Sequence, residues 1–550
     1  MKKTLVTLCI TALLFSSCNE TTSKKGPGAD PNQEFDVVIL NGRVMDPETN
    51  FDGIRNVGVK DGKIAIITEA EISGKETINA EGHVVAPGFI DTHQHATDQF
   101  SRKVNLRDGL TTQMDFEAGA GDIAKWYAEA EGKTQANYGM VVLATLARAT
   151  VLDGADIVAD ANDMGGLFPL VGRAAENAQK KGRKPGWTAT LPNKEEMTQI
   201  MAYVDEGLRQ GALGVGIPVG YMVAGVTQYE LYKYQDLASK YGRVSNAHVR
   251  FAGVRPPTEG QLGIQEMLAN AMILDAPFLA SHLNSNMDWE YTIPMVNDAR
   301  EKRGAKVWGE VYPYAAGSTV ASTDIITESG MAQMNITYSD VSNLDGTRWD
   351  KAMYDDVRKN DPGSTILIFN NKPEDIAKWM AMPGVVVVSD GMAIIDEKGQ
   401  YYPWESPFEG KTCHPRSAGT RAKVLRMVRE DKNQTLMDAI SKMSYLHAKY
   451  LGELGGIPQF KTKGRIQEGM DADIVVFDPE TVRDNSTYEV GMGAIPSTGI
   501  PYVLVNGVTV VKDSEVQKVF PGKPLRFPVE EKGRLDQIEI DPRVFDPNQS

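Results

Sequence analysis

Histidine is scarce in this chain, with seven in 550 residues, and cysteine is scarcer, with three, at positions 9, 18 and 413. Beyond residue 18 only Cys413 remains, so no internal disulfide can staple the fold and stability must come from a core. Positive charge is also short. Lys and Arg total 58 against 73 Asp and Glu, a formal charge of −15. Binding to nucleic acid through phosphate neutralisation needs a basic surplus, and this chain has none. A small acidic substrate needs only one or two local arginines and is not excluded. The apolar run near the N-terminus, LVTLCITALLF, falls short of the ~20 residues a spanning helix requires. What is present is ordinary for a globular protein, 41% hydrophobic and 24% charged residues. The length suits several domains or one large barrel with attachments.

Lys2 and Lys3 precede that apolar run, and Ser16-Ser17-Cys18 follows it. Residues 1–18 therefore read as a signal peptide. A cysteine after two small residues resembles the lipobox of bacterial lipoproteins. That resemblance implies lipidation of Cys18, export, and contact with a membrane only through the N-terminal lipid anchor. Residues 19–34 are polar, with Gly and Pro, and read as a flexible tether.

Two β-rich pieces flank a long middle. Residues 35–87 hold FDVVILNGRVMD, IRNVGVKDGKIAIIT and GHVVAP, with Asn41-Gly42 and Asp61-Gly62 between apolar runs, which is hairpin chemistry. Residues 456–550 hold GRIQEGMDADIVVFDP and IPYVLVNGVTVVKD, again with Asn-Gly, and a tail. A small β-sandwich built from both chain ends accounts for this. Between them, residues 88–455 alternate strand-like runs with helix-like stretches such as 195–209, 228–240, 264–274 and 433–450. The strand candidates are 139–146, 212–219, 244–249, 277–283, 305–314, 364–370 and 384–390. Repeated βα units predict an α/β fold, a (β/α)8 TIM-like barrel. Residues 320–365 interrupt the rhythm and are expected to form an insert, a flap over the site.

PGFIDTHQH ends an apolar run in two histidines one residue apart. In a strand, residues i and i+2 face the same side, so His93 and His95 can converge on one ion. His248 ends VSNAHV, His282 ends PFLASHL, and Asp390 ends GVVVVSD. Each is a metal-ligand type at the C-terminal end of an expected strand, where barrels place their chemistry. Glu117 ends TTQMDFE and is a further ligand, with Asp115 two residues earlier as the competing assignment. No lysine stands at a suitable strand end to serve as a carboxylated bridge. The pattern predicts a site for one or two ions, Zn2+ or another divalent metal.

Taken with GLTTQMDFEAG, NYG at 137–139, GALGVGIPVGY, HVR, SHLNS, VYPYAAGST, SDG, HPRSAGT and GRIQEGMDADIVVFDP, these stretches resemble the amidohydrolase superfamily. Within it they are most similar to the D-aminoacylases, the N-acyl-D-amino-acid deacylases, on the N-acyl-D-glutamate deacylase-like branch. Two departures stand out. The best-known D-aminoacylases end their second strand in a cysteine ligand where this chain has Glu117-Ala118, and carry lysine where this chain has Asn284.

The resemblance implies hydrolysis of the amide of an N-acyl-D-amino acid to a carboxylate and a free D-amino acid. It implies a principal ion on Glu117, His248 and His282, and a second or weaker position on His93, His95 and Asp390. Asp390 is the expected general base and acid, because one carboxylate can take a proton from water and return it to the leaving amine. A substrate carboxylate calls for a bidentate partner. Arg416 is the first choice, with Tyr312, Ser318 and Asn284 beside it, and Arg250 for the carboxylate or an acidic side chain. His414 reads as loop-shaping, Cys413 as an inert packed thiol. The alternatives are a cyclic-amide hydrolase of the dihydroorotase or hydantoinase kind, and a non-catalytic surface-binding lipoprotein on the same scaffold.

Overall fold

The computed structural model describes residues 30–154, 184–251, 260–286 and 288–545, together with Ala178, Lys180, Gly182 and Gly253. The expected signal peptide, Cys18 and most of the tether lie outside the described residues.

Five strands open the fold: β1 (Phe35–Asp46), β2 (Phe51–Lys60), β3 (Lys63–Thr68), β4 (Gly74–Asn79) and β5 (Val84–Pro87). The Asp61-Gly62 pair forms the two-residue turn between β2 and β3, both residues having positive φ. Asn41-Gly42 does not make a hairpin. Asn41 is left-handed inside β1, where the pairing to β2 shifts register, so the pair builds a bulge.

Eight short strands follow: β6 (Phe89–Asp91), β7 (Leu110–Ala120), β8 (Asn137–Leu143), β9 (Gly214–Ile217), β10 (Val244–Ala247), β11 (Phe278–Ala280), β12 (Val307–Val311) and, after an interruption, β16 (Val385–Val387). They form one sheet, ordered β16-β12-β11-β10-β9-β8-β7-β6, with every neighbouring pair parallel. Its two edges meet just past the strand ends. The His95 N–H donates to the Gly391 carbonyl at 2.9 Å, and Ser389 Oγ donates to Asp91 at 2.6 Å. This is the expected barrel. Parallel strands buried on both faces read as continuous apolar runs. Ile90, Met114, Val141, Val244, Leu279, Trp308 and Val386 pack in one interior core, while Phe89, Val142, Phe278, Val307 and Val385 pack outward in another with the helices.

Those helices begin where the sequence supplies caps. Asn193 and Glu196 make a capping box for the helix Lys194–Arg209, and Thr227 caps Gln228–Lys240 through the Glu230 N–H. The expected helix over 433–450 is instead two, Leu436–Met443 and Tyr445–Lys449.

The interruption before β16 is a small antiparallel sheet of β13 (Gly317–Val320), β14 (Val341–Asn343) and β15 (Thr365–Ile368), in the order β13-β15-β14. It packs with the helices Glu328–Met334 and Lys351–Asn360 around its own core of Ile326, Met331, Trp349, Tyr354 and Ile366. The run 364–370, read as one of the strand candidates of the barrel region, belongs to this sheet.

The chain closes with β17 (Ile474–Phe477), β18 (Tyr502–Val505), β19 (Val508–Lys512) and β20 (Glu515–Val516). β17 pairs antiparallel with β5, so both chain ends join one nine-stranded sheet. Asn506-Gly507 turns β18 into β19. The tail then returns to the barrel, where Leu525 exchanges backbone hydrogen bonds with the Tyr138 carbonyl and the Tyr127 hydroxyl.

Candidate metal centre

The C-terminal ends of five barrel strands bring their polar residues together. His93 and His95 follow β6, Glu117 lies on β7, His248 follows β10, His282 follows β11 and Asp390 follows β16. One donor atom each from His93, Glu117 and His282 lies within 4.8 Å of the others, and so does one each from His93, His95 and Asp390. The two sets share His93. His248 joins the first, its Nδ1 standing 3.1 Å from Glu117 Oε1 and 3.1 Å from His282 Nε2.

Close approach of backbone makes this packing feasible. A side chain at Gly220 would meet the His248 ring at 2.5 Å, and one at Gly216 would meet the Glu117 carbonyl at 2.4 Å. Asp390 adopts a left-handed φ of 53°. Such a backbone costs a non-glycine residue ~1–3 kcal/mol and clusters at working sites, although aspartate bears it better than most.

Each histidine of the His-x-His pair is held from behind. His93 Nδ1 contacts Glu310 of β12, which also accepts from Thr92 Oγ1 at 3.1 Å. His95 Nδ1 donates to Asp115 Oδ2 at 2.9 Å, and Asp115 Oδ1 accepts the Glu117 and Ala118 N–H groups at 3.1 and 2.7 Å. Asp115 is thus engaged behind His95, and Glu117 is the β7 carboxylate at the centre. With the far nitrogens occupied, both Nε2 atoms face inward, the arrangement that carboxylates impose on metal-binding histidines.

The inner atoms suit a cation. His93 Nε2 and Glu117 Oε2 are 2.7 Å apart, yet neither makes an aligned hydrogen bond, and both are fully buried. Buried polar atoms are rarely left so without a ligand. Burial opposes charge on His93, but Glu117, Glu310 and Asp390 outweigh it and raise the ring's pKa well above the usual range. His95 is likewise disfavoured by burial and then raised by Asp115 to about 9. Burial pushes Glu117 up, but His93 and His248 hold it well below the usual carboxylate range. His248 is lowered by burial, against the pull of Glu117. The cluster demands positive charge at its centre, which a divalent ion on these N and O donors satisfies.

Asp390 sits between the cluster and Arg416. Its Oδ1 is 3.5 and 3.4 Å from the Nε2 atoms of His93 and His95. Arg416 Nη1 and Nη2 lie 2.9 and 3.0 Å from its two oxygens, and Arg416 Nε is buried with no partner. Burial works against the ionised carboxylate, but Arg416 and then His93 more than reverse it and keep Asp390 charged. His414 positions Arg416. Its Nδ1 accepts the Arg416 N–H and its Nε2 donates to the Ala316 carbonyl, both at 3.0 Å, which fixes a neutral ring.

The remaining expected contacts divide. Tyr312 and Ser318 line a cavity of about 70 Å³ with His95, Glu117, His282 and Asp390. The Tyr312 hydroxyl pairs with Ser285 Oγ at 2.6 Å, and the Ser318 hydroxyl is buried without a partner. Asn284 is placed behind this surface, where its Oδ1 accepts the Tyr312 N–H at 3.1 Å. Arg250 is not brought to the cluster. Glu266 grips its Nε at 2.9 Å and its Nη2, and the Val226 carbonyl takes its Nη1 at 2.9 Å. Sequence reasoning missed Glu310 and Tyr221. The latter lines the cavity with its ring 4.8 Å from that of His248. Position alone could have flagged Glu310, the lone acid in the otherwise uncharged strand VWGEV. Cys413 is free and buried.

No family model matches the chain. Among curated proteins, D-aminoacylase of Alcaligenes xylosoxydans xylosoxydans is 25% identical over 532 residues, covering 90% of this chain and 98% of that enzyme. N-acyl-D-glutamate deacylase of the same organism is 26% identical over 516 residues, covering 90% and 97%. A dihydroorotase of Streptococcus pneumoniae matches at 52% identity, but over only 85 residues, 15% of this chain. Among solved structures, N-acyl-D-glutamate deacylase of Bordetella bronchiseptica, in complex with zinc and a phosphonate inhibitor, superposes with a TM-score of 0.68 at 22% identity, covering 90% of this chain and all of that one. A D-aminoacylase structure gives 0.67 at 21% identity, covering 90% and 99%, whereas D-hydantoinase gives 0.54 at 19%. Over nine-tenths of its length the chain is thus similar in sequence to D-aminoacylase and N-acyl-D-glutamate deacylase, and it shares the fold of their solved structures.

Proposed function

We propose that the protein is a metal-dependent deacylase of N-acyl-D-amino acids, N-acyl-D-glutamate among them. The observation that carries this reading is the convergence of His93, His95, Glu117, His248, His282 and Asp390 at the mouth of the barrel, with the Asp390–Arg416 pair beside it. An ion of the zinc type held by those residues supplies Lewis-acid polarisation of the amide carbonyl and lowers the pKa of the attacking water.

The rest falls to side chains of the chain itself. Asp390 is ionised and accepts a proton from the attacking water at its carboxylate. It then passes that proton to the departing nitrogen, because an amine leaves far more readily than its anion. Arg416 keeps Asp390 charged and aimed, and as the guanidinium nearest the cluster it is the partner proposed for the substrate carboxylate. Tyr312 and Ser318 present hydroxyls from the cavity wall. The cavity wall also offers Thr319, Asn370 and Ser285 among the apolar Ile325, Met334 and Ile368, and the three polar side chains are the ones available to hydrogen-bond the side chain of the D-amino acid. Arg250, committed to Glu266, is not available for that task.

The test is release of a free D-amino acid by the zinc-loaded mature chain from N-acetyl-D-glutamate or N-acetyl-D-methionine, with the L forms and dihydroorotate alongside. Turnover of the D-substrates, lost in Asp390→Asn, supports the deacylase. Turnover of dihydroorotate alone points to the cyclic-amide reading that the short dihydroorotase match favours. Export and anchoring through Cys18 belong to the same proposal and rest on the Ser16-Ser17-Cys18 pattern. Labelling with a radioactive fatty acid, abolished by Cys18→Ala, checks them.

A further inference from the structure

The 70 Å³ cavity beside the donor cluster has a second cavity next to it. The second is about 290 Å³, and His248, Ile325 and Met334 line both. These three residues stand at the boundary between the two cavities, which we take as the neck between them. Arg416 reaches the cluster through Asp390, whereas His248 reaches it through Glu117 and His282. A substrate with its carboxylate toward Arg416 and its amide at the cluster therefore directs its acyl group past His248 into the neck.

We propose that the outer chamber is the acyl subsite, built for an unbranched, uncharged acyl chain of about four to eight carbons rather than for acetyl. This rests on the deacylase reading. An acetyl group ends within the inner chamber and leaves the larger volume unused. Val249, Phe251, Ile325 and Met334 give the outer cavity apolar wall, and Thr327, Ser329 and Gln333 add neutral polar groups. The charged residues that line it are paired. Arg250 is held by Glu266, and Lys184 lies 3.6 Å from Asp324. Among the described residues of that lining a charged acyl group finds no unpaired charged partner, while methylenes find surface on which to leave water. The insert supplies Asp324, Ile325 and Met334, so the same segment that interrupts the barrel sets the reach of the chamber.

The experiment compares kcat/KM of the zinc-loaded mature enzyme for N-acetyl-, N-butyryl-, N-hexanoyl- and N-succinyl derivatives of one D-amino acid. The expected result is a rise of roughly tenfold or more from acetyl to hexanoyl, carried by KM, with succinyl no better than butyryl. Ala224 and Val223 line the chamber from its exposed rim. Ala224→Trp, and independently Val223→Trp, should lower the hexanoyl-to-acetyl ratio about tenfold. A flat or falling profile in the wild type overturns the proposal, as does a ratio unchanged in both folded variants. Turnover of acetyl substrates with that negative profile leaves the deacylase reading standing. Turnover of none of the four removes that reading and this one with it.

Discussion

Arg421 is the perturbation that most directly probes how the barrel holds its donors. Its guanidinium contacts Asp91 and lies 3.8 Å from Asp108, and all three side chains are at most 1% exposed. Asp91 in turn accepts the His93 N–H at 3.0 Å and Ser389 Oγ at 2.6 Å, tying the first barrel strand to the last. Arg421→Met keeps the bulk and removes the charge. Stripping one partner from a buried pair costs ~3–5 kcal/mol, because the other charge stays uncompensated. The donors from His93 and Ser389 remain, which places the loss near the lower bound, about 3 kcal/mol. Burial already raises Asp108 to about 6 against the pull of Arg421, and the variant removes that pull, so the deficit should be full at pH 8 and shrink as pH falls toward 5. Urea unfolding followed by tryptophan fluorescence, at fixed zinc, reads both quantities. Asp91→Asn combined with Arg421→Met should recover part of the loss, since the pair and not the packing is at stake. A deficit under about 1 kcal/mol at pH 8, or one that does not depend on pH, refutes this account of the barrel seam.

Glu310→Gln should weaken zinc binding by roughly 10- to 100-fold in chelator competition, because Glu310 holds the far nitrogen of His93; an unchanged affinity argues that Thr92 and packing suffice. Asp390→Asn should lower kcat by about 10²- to 10⁴-fold in the deacylase assay. Arg416→Lys should raise KM for N-acyl-D-glutamate about tenfold or more, since an ammonium cannot reproduce the fork on Asp390 and still meet the substrate. Burial pushes the Cys413 thiol up to about 12, so at pH 8 it should resist thiol reagents until the chain unfolds; rapid labelling of the native enzyme contradicts its placement.

Much of the architecture is legible in the sequence because its signals are local. Buried parallel strands leave apolar runs, and Asn193, Glu196 and Thr227 mark helix starts close to where 195–209 and 228–240 are expected. The losses have physical causes. GMVVLATL runs straight from β8 into the helix Ala144–Asp153 with no turn residue between, so its last three residues read as strand. STILIFN is as apolar as any barrel strand, and periodicity does not say which sheet an apolar strand joins. In the site, strand-end histidines announce themselves by type and place. The bond of Arg250 to Glu266 does not, since the two are 16 residues apart with no pattern linking them. Nor does Glu310, whose role depends on the barrel turning β12 toward His93.

The pairing of β5 with β17 also bears on how the chain can be made. β5 is synthesised early and ends immediately before the first barrel strand. Its antiparallel partner comes only after the whole barrel, the insert and the last helices. Until then β5 presents an open edge, and such edges invite the wrong strand. The barrel that carries the chemistry must therefore take shape while its neighbouring sheet is half built. A ribosome stalled before Ile474 should hold a nascent chain that is already compact around its centre, still sticky at that edge, and unable to finish.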